Sequence, residues 1–222
     1  MTLPDWIRPV AEYILREGLR ETLRLAAVAV VASTTLGVLL GTLLTIRFLP
    51  LRAVIRLYIE VWRGLPIIVT IFLLYFALPG LVSIRFGAFG AAAIGLTLWG
   101  SAQVAEATRG AVESIPKEQH EAAAALGFGW VGRHRSVILP QALRRLLPPL
   151  VSLQVNVIQN TTIAAGIGVA EVLEAGNRSV ERLTFSTPES HAFGIFAGVM
   201  AIFFVISFPL TRLSAYLERR LV

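Results

Sequence analysis

Five stretches of the chain, residues 25–46, 64–84, 86–105, 146–170 and 190–211, contain no Lys, Arg, Asp or Glu. Each reaches the roughly 20 mostly apolar residues that a helix needs to cross the hydrocarbon of a bilayer. Backbone amides and carbonyls cannot be left unpaired in lipid, so such runs must form helices or the strands of a closed barrel. Barrel strands would be alternating segments of about ten residues, and that pattern does not occur. Composition agrees: 55% of residues are hydrophobic, only 15% are charged, and mean hydropathy is +0.71. The expectation is an all-α integral membrane protein with five transmembrane helices in one domain, residues 1–222. The first run follows 24 residues that carry four acidic side chains and exceeds a signal-peptide core, so it is expected to stay in the mature protein.

Charge gives the orientation. If the five spans alternate and residues 106–145 are cytoplasmic, the inside holds thirteen Lys or Arg against six acids, and the outside seven against eight. That asymmetry follows the positive-inside rule and puts the N-terminus outside and the C-terminus inside. The net charge of +6 therefore calls for no nucleic acid partner, because the cations flank spans instead of forming one face with aromatics. The absence of cysteine excludes disulfides, thiolate metal sites and thiol catalysis. His120, His134 and His191 show neither metal-ligand spacing nor a Ser/His/Asp grouping, so no catalytic and no metal site is expected. The sole lysine, Lys117, follows Pro116, whereas a phosphate-binding P-loop needs its Lys after Gly. No cofactor is expected on this chain.

Residues 1–24 alternate charges with Trp6, Ile7, Val10, Tyr13, Ile14, Leu15 and Leu19, the pattern of an amphipathic helix lying along the outer lipid interface. Between the first two runs, Arg47, Arg52, Arg56 and Arg63 face a single acid, Glu60, which fixes that link to the cytoplasm. Pro66 is expected to open or kink the second helix. The third run is rich in Gly and Ala, which lets helices approach closely in lipid. Its Gln103 amide must find a partner or line a wet path. In the fourth run Gln154, Asn156, Gln159, Asn160, Thr161 and Thr162 interrupt an aliphatic helix, with Asn156, Gln159 and Asn160 at i, i+3 and i+4 on one face. Gln103, Asn156, Gln159, Asn160, Thr161 and Thr162 are the candidate substrate pathway, and interhelical hydrogen bonding is the competing reading. Glu171, Glu174, Arg178, Glu181, Arg182 and Glu189 form an external charged segment.

Within residues 106–145, Ile115-Pro116-Lys117-Glu118 starts a helix, Glu121 to Leu126 are strong helix formers, and Gly127 is placed to end it. Four consecutive alanines, Ala122 to Ala125, give it a slim surface, and Phe128 and Trp130 supply apolar anchors beside it. The spacing Glu-Ala-Ala, three residues, Gly, nine residues, an aliphatic, one residue, Leu-Pro is met by Glu121, Ala122, Ala123, Gly127, Val137, Leu139 and Pro140. It resembles the signature loop of ABC importer membrane subunits. Arg63-Gly64-Leu65-Pro66, the segment from Tyr75 to Pro79, Ala105-Glu106 with Arg109-Gly110, the segment from Ser114 to Lys117 and the segment from Leu139 to Arg144 narrow the likeness to the polar amino acid uptake permeases. Gln159, Thr162 and Ser152 depart from that family's usual Lys, Ser and Asn.

The resemblance implies a type I importer permease in the inner membrane, in which Glu121, Ala122, Ala123 and Gly127 belong to a coupling helix that docks on a cytoplasmic ATPase dimer. It also implies a second permease subunit, an extracytoplasmic substrate-binding protein and an amino acid as cargo. Three other readings compete: a permease for another small polar solute, a secondary transporter and a membrane scaffold. A secondary transporter would favour repeated halves or an intramembrane acid, and neither is present.

Overall fold

The computed structural model describes residues 4–46, 48–82, 84–186 and 191–221. Arg47 of the expected cytoplasmic link, Glu189 of the external segment and Ser190 at the start of the fifth run lie outside them. Every regular element among the described residues is a helix. Helix α1 runs Ile7–Leu43, with one wide π turn at Ile14–Gly18. Helix α2 is Leu49–Gly64 and α3 is Ile67–Val82, with a second wide turn at Leu73–Ala77. Then come α4 (Ala88–Glu113), α5 (Lys117–Ala125) and α6 (Trp130–Arg133). A third wide turn, His134–Ile138, leads into α7 (Leu139–Gln159), which tightens to a 3₁₀ segment at Asn160–Ile167. Helices α8 (Val172–Ser186) and α9 (Ala192–Leu221) complete the chain.

By length and composition, α1, α4 and α9 are able to cross a membrane, and α2 with α3 form a fourth, broken pair bent by 102°. Pro66 causes the break as expected, forcing Leu65 into the extended region at φ −87°, ψ 138°. The fourth apolar run does not form one long α-helix, since its amide-rich stretch leaves α geometry at Asn160.

From Ile7 the segment expected to lie along the interface runs on into the first span as one 37-residue helix, about 56 Å long. Part of its apolar stripe packs on protein, while Leu15 stays 51% exposed. Trp6, Val10, Tyr13 and Ile14 pack with Val172 and Ala175 of α8 and Ile195 and Val199 of α9. An amphipathic stripe records only that one face avoids water, and here other helices cover part of it.

The chain packs as two compact units. One comprises Met1–Val30, Pro66–Leu96 and Asn156–Pro209, the other Val31–Leu65, Thr97–Val155 and Leu210–Val222. The first is centred on the apolar cluster just described. There the Thr22 hydroxyl accepts the Val172 amide at 3.0 Å, and the fully buried Glu171 carboxylate caps α8 by accepting the amides of Leu173 and Glu174 at 2.9 and 2.8 Å. In the second unit α1 lies directly against α4. A Cβ built on Gly37 would stand 2.5 Å from the Val104 Cβ, and one on Gly41 2.5 Å from the Ala105 carbonyl oxygen. Only hydrogen fits at either position. Leu44, Ile55, Ile59 and Ala105 bury the contact of α2 with this pair, and Val112, Ile115, Ile138 and Ala142 secure the start of α7 to the end of α4.

Burial pushes the Glu171 carboxyl up to about 7, although the two capping amides pull it the other way. The folded protein therefore holds a proton that the unfolded chain releases between pH 4.5 and about 7. Stability should fall across that interval and level off above it, by up to roughly 3 kcal/mol. Glu171→Gln, which can still accept an amide, should flatten the slope. Thermal melts in detergent from pH 4.5 to 8 measure this, and an unchanged slope in the variant would refute the assignment.

Candidate functional site

Helix α5 owes its shape to its two ends. Pro116, at φ −55° and ψ 144°, precedes the first helical residue and cannot extend the helix backward, while Glu118 complements the positive end of the dipole. At the other end Gly127 sits at φ +81°, a left-handed conformation that a Cβ disfavours. The Gly127 amide donates to the Ala124 carbonyl at 2.9 Å and the Phe128 amide to the Ala123 carbonyl at 3.1 Å, closing a Schellman motif. Of the four expected coupling residues, Ala123 turns inward at 3% exposure, whereas Glu121, Ala122 and Gly127 are on the surface. Leu126 and Val131 flank them, 78% and 68% exposed, with Phe128 and Trp130 also open. Small and large apolar groups thus share one uncovered tip, the composition of a docking surface.

The same unit contains a cavity of about 500 Å³ whose polar lining is Arg63, Gln103, Glu106, Ser152, Ser214 and Glu218. Arg63 donates from Nε to the Gln103 carbonyl oxygen at 3.3 Å. Glu106 is held by Arg109 and, at 3.5 Å, by Arg56, and Arg109 also binds Glu113. On the opposite lining, Ser214 gives its only hydroxyl proton to the Pro148 carbonyl at 2.8 Å, so Ser152 must be the donor in the 2.8 Å contact between the two serines. A guanidinium, carboxylates, an amide and hydroxyls around one open space can accept a small molecule carrying both charges.

Of the predicted pathway residues, Gln103 alone lines this cavity. Asn156 and Gln159 are exposed, and Gln159 donates toward the Ser207 hydroxyl at 3.4 Å. Asn160 is half-buried at the start of the 3₁₀ segment. Thr161 is fully buried and spends its hydroxyl on the Ile158 carbonyl at 2.7 Å; Thr162 does the same with Gln159 at 2.8 Å. Asn156 and Gln159 belong to the last turn of α7 and Asn160 follows directly on it, so the three amides keep their i, i+3, i+4 face, and the tighter path sets only the positions that follow. Sequence reasoning passed over Arg63, Glu106, Ser152, Ser214 and Glu218 as cavity residues. One signal was present: Gln103 and Glu106 stand at i, i+3 and so share a face of α4.

Residues 33–222 match the model of a family described as binding-protein-dependent transport system inner membrane component. The chain is 34% identical over 195 residues to the probable amino-acid ABC transporter permease protein YckA of Bacillus subtilis (strain 168), covering 86% of this chain and 85% of that one. It is 35% identical over 209 residues to the glutamine transport system permease protein GlnP of Escherichia coli (strain K12), covering 94% and 93%. The crystal structure of an amino acid ABC transporter with histidines aligns with a TM-score of 0.86 at 28% identity, over 99% of this chain and 100% of that chain.

Gly127 and Gly129 both have open space around them, but only Gly127 needs positive φ. Gly127→Ala should therefore cost about 1 kcal/mol and Gly129→Ala much less. Hydrogen exchange at the Gly127-position and Phe128 amides would show faster opening in the first variant alone; equal exchange in both would refute the Schellman closure.

Proposed function

The chain belongs to the binding-protein-dependent transport system inner membrane components, and on that basis we propose that it is the membrane-spanning permease subunit of an ATP-driven importer of amino acids. The observation that carries the coupling role is the uncovered tip of α5. A nine-residue helix with one inward alanine, closed by Gly127 and edged by Leu126 and Val131, is a rigid body that a partner can grip. In this reading Glu121, Ala122, Ala123 and Gly127 receive the movement of a cytoplasmic ATPase dimer, which supplies ATP and Mg. The chain itself hydrolyses nothing.

A path for cargo needs a second permease subunit, of the same or a related sequence, because few helices here are long enough to enclose one. The N-terminus is outside, where a substrate-binding protein delivers the amino acid, and the C-terminus is inside with the basic links. Gln103 is the first polar group assigned to the path, with Arg63 beside it to meet a carboxylate and Glu106 and Glu218 to meet an ammonium. Asn156, Gln159, Asn160 and Thr162 line the path elsewhere, and the fully buried Thr161 backs that lining. The relatives named for amino acid and glutamine transport support this cargo class.

In proteoliposomes containing the whole complex, Gly127→Asp should abolish the stimulation of ATP hydrolysis by loaded binding protein while the subunits still co-purify. Stimulation at the unaltered level would remove α5 from the coupling role. Loss of one polar contact to cargo costs about tenfold, so Gln103→Leu and Asn160→Leu should each lower initial uptake by about that factor. Unaltered uptake in either variant takes that residue off the path.

A further inference from the structure

Behind α5 lies a second, smaller pocket of about 240 Å³, lined on its charged and aromatic side by Arg52, Glu113, His120, Trp130, Arg133 and His134. Its charges do not balance. Glu113, the one acid, is engaged by Arg109. Among the described residues Arg133 makes no ion pair, and its Nε is buried with no hydrogen-bond partner there. A buried guanidinium nitrogen without an acceptor is costly, because it has given up water and gained nothing. His134 is buried too and packs its ring 4.1 Å from that of Trp130; its Nδ1 lies 2.9 Å from the Trp130 carbonyl, which only accepts, so Nδ1 carries the proton. The His134 Nε2 then accepts while the ring is neutral and donates to an anion once the ring is an imidazolium. The His120 ring centroid stands 6.1 Å from that of His134, and burial together with the charges of Arg133 and His134 holds the His120 imidazole below its ordinary range.

Two guanidiniums and two imidazoles from α2, α5, α6 and the turn after it thus converge on a space fit for one small anion. Acceptor oxygens in tetrahedral array match such donors, and Arg is the side chain best suited to hold them. We propose that this pocket binds a phosphate oxyanion. Two sources share that chemistry, the headgroup of an anionic phospholipid and free inorganic phosphate, and basic pockets at helix ends on the cytoplasmic side are suited to headgroups. The site is separate from the 500 Å³ cavity and shares none of its lining residues, so it stands whether or not that cavity carries cargo.

The chain has three histidines, which makes the test direct. The full chain, ¹⁵N-labelled at histidine, is placed in neutral phosphatidylcholine nanodiscs and the imidazoles are titrated by NMR. A bound anion should raise the His120 midpoint by roughly one pH unit. If the source is lipid, the rise appears when phosphatidylglycerol replaces part of the phosphatidylcholine; if it is free phosphate, it appears on adding inorganic phosphate and saturates. His191, which stacks on Trp6 far along the sequence, reports the general surface potential and should move much less. Arg133→Gln should abolish the rise, and Arg52→Gln, at an exposed position, should reduce it without threatening the fold. The proposal is overturned if His120 responds to neither addition, if His191 moves equally, if chloride at matched ionic strength has the same effect, or if both variants keep the full rise.

Discussion

The close approach of α1 to α4 at Gly37 and Gly41 is the contact on which the second unit depends. In lipid there is no hydrophobic gain in bringing apolar helices together, since the acyl chains are as apolar as Leu. Attraction has to come from dispersion at short range and from backbone-to-backbone proximity, and both require that side chains be missing. Gly37 and Gly41 meet Ser101, Val104, Ala105 and Thr108 at separations no Cβ would allow. Ser101, Ala102, Val104 and Ala105 are consequently at zero exposure. With the backbones that near, Tyr58 of α2 can reach the Ser101 hydroxyl at 2.7 Å and Ile59 is sealed beneath it.

That packing also fixes where polar groups can stand. Gln103 is on the turn of α4 that carries Ser101 and Val104, so the seam against α1 sends its amide toward Arg63 and the cavity. One turn on, Glu106 gathers Arg56 and Arg109, a lattice in which each charge has an opposite neighbour. The type I importer permease fold therefore combines an apolar seam that is tight because it lacks side chains with a polar cavity that exists because the adjoining faces retain theirs.

Local chemistry was legible from the residues. The end of α5 at Gly127 depends on backbone preferences within six positions, and the break at Pro66 on a ring that cannot accommodate α geometry before it. Both stand where the residues put them. The amphipathic stripe of residues 1–24 does not say what covers it, because Trp6, Val10 and Ile14 avoid water equally well against lipid or against Val172 and Ile195, on which they pack. The amides from Asn156 to Asn160 keep their common face through the last turn of α7, and only the residues after Asn160 follow the tighter 3₁₀ path, which no periodicity announces. Arg63, Ser152, Ser214 and Glu218 stand 40 to 115 positions from Gln103 and in other helices, and no periodicity connects them to it.

By itself, then, the sequence determined what each segment could not be: uncharged runs of 20 residues could not remain in water, the helix of Glu121 to Leu126 could not continue past Gly127, and the sole lysine, Lys117 after Pro116, could not close a P-loop. Tertiary structure alone decided which face meets which. It packed part of the N-terminal stripe on other helices, tightened the chain after Gln159, joined four helices around one polar cavity and left the Arg133 Nε without an acceptor among the described residues. The physical reason is range. Helix starts, stops and burial preference follow from groups a few ångströms apart along the chain, whereas cavities and unpaired charges follow from the fit between surfaces that the chain order does not encode.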